Sequence, residues 1–342
     1  MANLFLLYKG PGTNDLVSCQ FDGTQWSGNA RIEVTPHAVG QFNHFLESSC
    51  GPAVSFSNNT DITNGPILLV YKAANSTALN LASFDPGEGW LSDVPSQSRD
   101  GSIRPPTSDQ TPAVTVFRNF LFLVFKAAGT NDLNVAQMDG LGNWHWNINI
   151  ETLAGGAISP KTTLGPSIIT FNNTLFIIYR SENSNDLRVT KFDGKLWTDA
   201  TIASQPGGIT PESTCAPGLA VFNNQLFMVY RSPNNFDLNY ATFDGNIWHG
   251  NSQISKQPGN PKPIQPESSC SPGLAVFNNR LFLSYKSPQN NDLNIASFDG
   301  TSGPVTPRSS TNPAVSDPNP IAARLQLSVN RGRPKVAGRA EP

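Results

Sequence analysis

The chain has 342 residues and carries 23 Lys and Arg against 25 Asp and Glu, a net charge of −2, and only 14% of its residues are charged. That balance excludes a nucleic-acid groove, which needs clustered Lys and Arg, and no apolar run approaches the roughly 18 residues of a membrane span. Gly and Pro, at 28 each, and abundant Asn predict many short strands joined by tight turns.

The opening MANLFLLYKGPGTND has a short apolar stretch and no basic leader, so it does not read as an intact secretory signal. A cytoplasmic protein and a trimmed secreted one are both compatible with it. The same opening begins a phrase that recurs along the chain: LFLLYKGPGTNDLVSCQFDGTQW, a weaker LLVYKAANSTALNLASFDPGEGW, LFLVFKAAGTNDLNVAQMDGLGNW, LFIIYRSENSNDLRVTKFDGKLW, LFMVYRSPNNFDLNYATFDGNIW and LFLSYKSPQNNDLNIASFDG. A cation closes the first run at Lys9, Lys72, Lys126, Arg180, Arg231 and Lys286. Six residues on stand Asp15, Ala78, Asp132, Asp186, Asp237 and Asp292, and a Trp follows at 26, 90, 144, 197 and 248 but not in the last copy.

Each copy reads as strands. LFLVFK and its relatives are apolar on both faces, as in a strand covered on both sides. DLNIASFD alternates apolar and polar, and Asp-Gly then marks a hairpin whose Gly accepts positive φ. The Trp opens a further strand. A Pro-led run precedes each block (PAVSF, PAVTVF, PSIITF, PGLAVF twice), and Pro is tolerated at a strand's first residue. Four strands in about 54 residues, six times over, predict an all-β fold: a six-bladed β-propeller of four-stranded antiparallel blades. The propeller is expected over residues 1–317, with a partly disordered C-terminal tail over 318–342. Ser309 to Asp317 copies the first strand that the N-terminal block lacks and is expected to close the ring. Ala323 to Val329 is the alternative strand.

The cation and the Asp six residues later are expected to pair across a hairpin. Ala78 breaks that rule, which singles out Lys72. The repeated Trp residues are expected to pack between blades, with sugar stacking as the functional alternative for Trp197 and Trp248. Trp146, outside the repeat, and His145, next to a blade Trp, stand apart from the pattern. Cys50, Cys215 and Cys270 share one position and are expected to be free thiols. Glu47, Glu212 and Glu267 stand three residues ahead of them. The four His lack metal-ligand spacing, so neither metal nor cofactor is expected, and no nucleophile elbow or P-loop occurs.

Six blades of this length, with an aromatic-cation strand and a G-x-x-W hairpin, resemble the fungal and bacterial fucose-specific lectin superfamily. The resemblance implies sites between adjacent blades, with Glu47, Glu212 and Glu267 as the acids, Arg180 or Arg231 as the cation and blade Trp residues as the platform. Here the cation follows the aromatic, whereas family blades carry Arg before it. The partner implied is a glycan or another small molecule, with the oligomeric state left open. A second resemblance, to lectin-like propellers that serve as hetero-Diels–Alderases in fungal biosynthesis, implies one apolar pocket near Lys72, His145 and Trp146. Such an enzyme works by proximity and one hydrogen-bonded carbonyl.

Overall fold

A computed structural model describes residues 3–35, 43–56, 67–85, 87–96, 103–140, 142–256, 265–290, 292–300 and 326–330. It is an all-β propeller of antiparallel blades. The first sheet orders Gln326–Asn330, Asn3–Lys9, Leu16–Phe21 and Trp26–Arg31. The third runs Ala113–Phe117, Phe120–Lys126, Leu133–Met138 and Trp144–Asn149. The fourth (Ser167–Phe171, Thr174–Arg180, Leu187–Phe192, Trp197–Thr201) and fifth (Gly218–Phe222, Gln225–Arg231, Leu238–Phe243, Trp248–Gln253) repeat it. The second sheet adds Glu33–Val34 and His44–Phe45 outside Ala53–Phe56, Ile67–Lys72, Leu79–Asp85 and Gly89–Pro95. The sixth and last sheet has three strands among the described residues, Gly273–Phe277, Arg280–Lys286 and Leu293–Phe298, so the described residues show five blades of four or more strands where six four-stranded blades were expected.

Two turn types set this meander. The expected Asp-Gly hairpins join the third and outer strands, with Gly194 at φ 97° and Gly245 at φ 112°. Their Asp is structural: Asp193 Oδ1 accepts the backbone N–H groups of Lys195 and Leu196, each at 2.8 Å. The inner and second strands are joined by Asn-Asn pairs, 172–173, 223–224 and 278–279, with both residues at positive φ. That conformation belongs to type I′ turns, whose twist matches the strands they connect.

The second strand of each sheet is buried almost throughout, because neighbouring sheets cover both of its faces. Trp197 stacks on Phe192 with centroids 4.4 Å apart and joins a core with Phe122 and Val124 of the third sheet. Trp248 lies 5.0 Å from Phe243 and packs toward Phe176 and Ile178 of the fourth. The repeated Trp therefore fills the space between one sheet and the preceding one. The Tyr before the cation spans its own sheet: Tyr179 Oη donates to Asp199 Oδ1 at 2.7 Å, and Tyr230 donates to Asn251. Burial pushes both phenols well above their ordinary range.

The innermost strands of the second to sixth sheets touch in chain order, and Gln326–Asn330 touches those of the second and sixth. The approach is close. A Cβ on Gly165 would stand 2.3 Å from the Thr111 carbonyl oxygen, and one on Gly218 2.8 Å from that of Pro272. Asn3–Lys9 takes Gln326–Asn330 as its antiparallel neighbour, Leu4 opposite Val329. This is the alternative segment of the sequence reading; Ser309 to Asp317 lies outside the described residues.

Candidate functional site at the cation rim

Every sheet has two rims. At one, the second strand ends in its cation and turns into the third. At the other lie the Asp-Gly hairpin and the Trp. In the fourth sheet Arg180 is opposite Leu187 and Phe192 opposite Trp197. The five intervening steps put the two rims about 17 Å apart. Trp197 and Trp248 are thus separated from their own sheets' cations, and both are buried. His145 sits at the hairpin rim with Nε2 3.1 Å from Asp139 Oδ2. Trp146 packs edge-on against Phe122 at 5.9 Å, inside a core cluster.

The cation rim is stitched to the neighbouring sheet by a repeated backbone device. Asp15 bridges Glu47, Asp186 bridges Glu212 and Asp237 bridges Glu267; at the two other described junctions the pairs are Ala78–Thr107 and Asp132–Lys161. The Leu after each Asp donates its N–H to the linker (Leu187 to Pro211 O at 3.0 Å), and the linker Ser/Thr returns one (Ser213 to Asn185 O at 2.8 Å). That Ser or Thr stands at 48, 108, 162, 213 and 268, and each is fully buried. Ser213 Oγ accepts from Cys215 N at 3.1 Å and donates to Cys215 O at 2.8 Å. Composition hid it among ordinary Ser; its recurrence one place after the Glu position was the available signal.

The cations do not hold the Asp of their own hairpins as expected. Lys126 Nζ binds both oxygens of Asp109 at 2.9 Å, in the linker 17 residues back, while Asp132 lies 3.6 Å from Lys161. Arg180 donates to Thr163 Oγ1 and Ser184 O. Lys72 follows the same plan with Ser49 Oγ at 2.6 Å and so is not the exception its missing Asp suggested. The physical reason is direction. The last residue of the second strand projects inward toward the chain leading into its own inner strand, whereas the Asp faces the next sheet's linker.

Two junctions carry more than the stitch. Between the first and second sheets, Arg31 Cζ lies 3.7 Å from the ring centre of Phe45, and its Nη1 lies 3.7 Å from Asp15 Oδ1. Phe45 is 39% exposed, and Glu47 beside it is also exposed. Between the fifth and sixth sheets, Arg231 Cζ lies 4.7 Å from the ring centre of Phe236, which is 43% exposed, next to Asp237 and its bridge partner Glu267. Each group combines an outward aromatic face, a guanidinium and two carboxylates. Sequence reasoning missed both Phe residues. Phe236 carried a signal, since 14, 131, 185 and 291 are all Asn at that position of the repeat.

Among the described residues no group of three or more His, Cys, Asp or Glu is placed to hold a metal ion, and no helix is long and apolar enough to cross a membrane. The four Cys are free thiols. A cavity of about 270 Å³ lies between the fifth and sixth sheets, lined by Phe227, Val229, Tyr240, Leu281, Leu283 and Phe298 among others. It occupies the position that Trp248 fills one junction earlier.

No protein-family model matches the chain, and no curated protein matches it by sequence. Solved structures do match it in fold. An Aleuria aurantia lectin variant in complex with Fucalpha1-6GlcNAc is similar over 92% of this chain and 93% of that one, at 14% identity and a TM-score of 0.58. The same lectin with alpha-methyl-L-fucoside covers 89% of each chain at 14% identity and a TM-score of 0.56. The Hadza microbial sialidase Hz136 is similar over 87% of this chain and 67% of its own, at 12% identity and a TM-score of 0.50.

Proposed function

We propose that this protein is a β-propeller that binds carbohydrate at the cation rim, in sites between neighbouring blades. The observation that carries the reading is the placement of like charges. Residues directly opposite in an antiparallel bridge hold their side chains about 5 Å apart, and like charges there repel. The junctions Ala78–Thr107 and Asp132–Lys161 indicate that the stitch itself needs no such pair. Yet Asp15–Glu47, Asp186–Glu212 and Asp237–Glu267 set two carboxylates side by side. Paired carboxylates accept the hydroxyl groups of a sugar, an aromatic face covers its C–H side, and a guanidinium donates to its oxygens. Phe45 with Arg31 and Phe236 with Arg231 supply those last two parts.

Glu47, Glu212, Glu267 and Arg231 keep the roles first assigned to them, Arg180 turns instead to Thr163 and Ser184, and the platform moves from Trp to Phe. Each shallow site alone is weak, and several on one rim add avidity. A glycan panel including fucosides tests this, followed by titration of wild type, Phe45→Ala and Glu47→Gln. Binding that falls at least tenfold in both variants supports the reading; a panel with no signal above background refutes it.

One observation favours the second reading, a biosynthetic enzyme that holds apolar partners together. The apolar cavity between the fifth and sixth sheets has the size of a small-ligand site. Displacement of a fluorescent apolar probe by terpenoid or polyketide compounds, lost in Ala296→Trp, is the result that reading requires.

A further inference from the structure

Buried polar atoms almost always have partners, so those without one call for an explanation. The repeat supplies its own controls at the inward face of the cation rim. In the second, third and fourth sheets the cation bonds directly to a linker oxygen: Lys72 to Ser49 at 2.6 Å, Lys126 to Asp109 at 2.9 Å, and Arg180 to Thr163 at 3.2 Å. The equivalent groups in the fifth and sixth sheets do not meet. Thr214 Oγ1, Arg231 Nε and Ser269 Oγ are buried without any hydrogen-bond partner. Arg231 Nη1 reaches only the Cys215 thiol, at 3.8 Å. Lys286, the corresponding cation of the sixth sheet, is 8% exposed.

These groups lie on the two sheets that meet at this junction. The Cys215 thiol acts electrostatically on Cys270, which also feels Lys286. Gly218 is closely packed against Pro272, and Ser269 N donates to the Lys286 carbonyl at 3.0 Å. Nearby carboxylates are engaged elsewhere: Asp237 by Asn235 and Gln253, Glu267 by Gln289, and Asp292 by Asn290. Glu212 faces solvent. A water molecule would satisfy the two hydroxyls but supply no charge to the buried Nε edge of Arg231 or to Lys286.

We propose that a small oxyanion, a phosphate, sulfate or carboxylate group, binds between the fifth and sixth sheets, held by Arg231 and Lys286 and by the hydroxyls of Thr214 and Ser269. The guanidinium donates through its planar fork, the ammonium acts as a point charge, and each hydroxyl donates one hydrogen bond. This site goes beyond the sugar reading and stands without it, because Arg231 turns its outer face to Phe236 and its Nε inward.

Calorimetric titration with inorganic phosphate, sulfate or acetate, at ionic strength held constant with chloride, tests the proposal. Saturable binding of one phosphate per chain is expected, with sulfate and acetate ranking the oxyanion types. Arg231→Met and Lys286→Met should each weaken it at least tenfold. Phe236→Ala should remove sugar binding at that junction and leave phosphate affinity unchanged, which separates the two readings. A second measurement needs no variant: saturating phosphate should slow iodoacetamide labelling of Cys215 several-fold in wild type. Absence of saturable binding, an unchanged affinity in Arg231→Met, or a crystal grown in phosphate showing only water between these groups would overturn the proposal.

Discussion

Replacing Trp248 by alanine separates a packing role from a ligand platform. The side chain is 1% exposed and lies against Phe243, Phe176 and Ile178. An indole of about 200 Å² removed from water at ~25 cal/mol per Å² contributes about 5 kcal/mol. Its Nε1–H is buried without a partner, and losing that donor returns about 1–3 kcal/mol. Trp248→Ala should therefore cost about 3 kcal/mol, and Trp248→Phe about 1 kcal/mol or less. Trp26, the counterpart in the first sheet, is only half-buried, so Trp26→Ala should cost less than Trp248→Ala. Urea denaturation read by circular dichroism gives all three values. Sugar affinity, measured well below the melting temperature, should be unchanged in Trp248→Ala and at least tenfold weaker in Phe45→Ala. A cost below about 1 kcal/mol, or folded Trp248→Ala protein that no longer binds sugar, refutes the division between the rims.

Other perturbations probe separate parts of the frame. The Asp199 side chain, 4% exposed, accepts from Tyr179 and Thr190 at 2.7 Å each and from Arg188. Asp199→Ala should cost about 3 kcal/mol by urea midpoint, because it strands the guanidinium, with Asp199→Asn milder. At the hairpin rim, the hydrogen bond from His249 and the N–H groups of Ile247 and Asn246 lower the Asp244 carboxyl to about 2. Its stabilising effect is present above the unfolded value of about 3.9 and is lost as pH falls through about 2. Carboxyl NMR should place this titration between those two values in His249→Ala; an unmoved Asp244 would contradict the assignment. Burial pushes Cys19 and Cys270 up to about 12 and also raises Cys50, so alkylation at pH 8 should label the partly exposed Cys215 before the buried Cys19 and Cys270, as peptide mass spectrometry would reveal.

Much of the frame was legible in the sequence because it is dictated locally. The apolar second strand, the Asp-Gly hairpin and the Trp each declare their structure through periodicity or turn chemistry, and repetition amplified the signal. The partner of each cation was not legible. Spacing along one hairpin suggested the Asp six residues on, but an interior side chain answers to whatever the neighbouring segment brings within reach. Lys126 found Asp109 and Asp132 found Lys161 through inter-sheet packing that no local pattern encodes. The aromatic platform was misread for a related reason. Trp is the obvious stacking residue, but its place beside the Asp-Gly hairpin sends it between sheets, whereas Phe45, in a two-residue edge strand, and Phe236, in a hairpin loop, keep exposed faces.

A repeat protein offers a way to tell these cases apart. Where every copy keeps a residue type, the cause is common to every copy, and the only thing all copies share is the fold. The buried Ser or Thr at 48, 108, 162, 213 and 268 belongs there: its hydroxyl closes the linker turn at each junction. Where copies differ at one position, the fold has been shown to tolerate each version, and the differing residue answers to something local. Phe236 in place of Asn, the acid pairs in place of Ala–Thr or Asp–Lys, and the unpartnered Arg231, Thr214 and Ser269 in place of bonded pairs are all of this second kind. Acid pairs stand at two other junctions as well, but among the described residues all three kinds occur together only at the cation rim where the fifth sheet meets the sixth. A propeller selected only to close on itself has no reason to concentrate its departures at one junction, whereas one that binds a ligand there does.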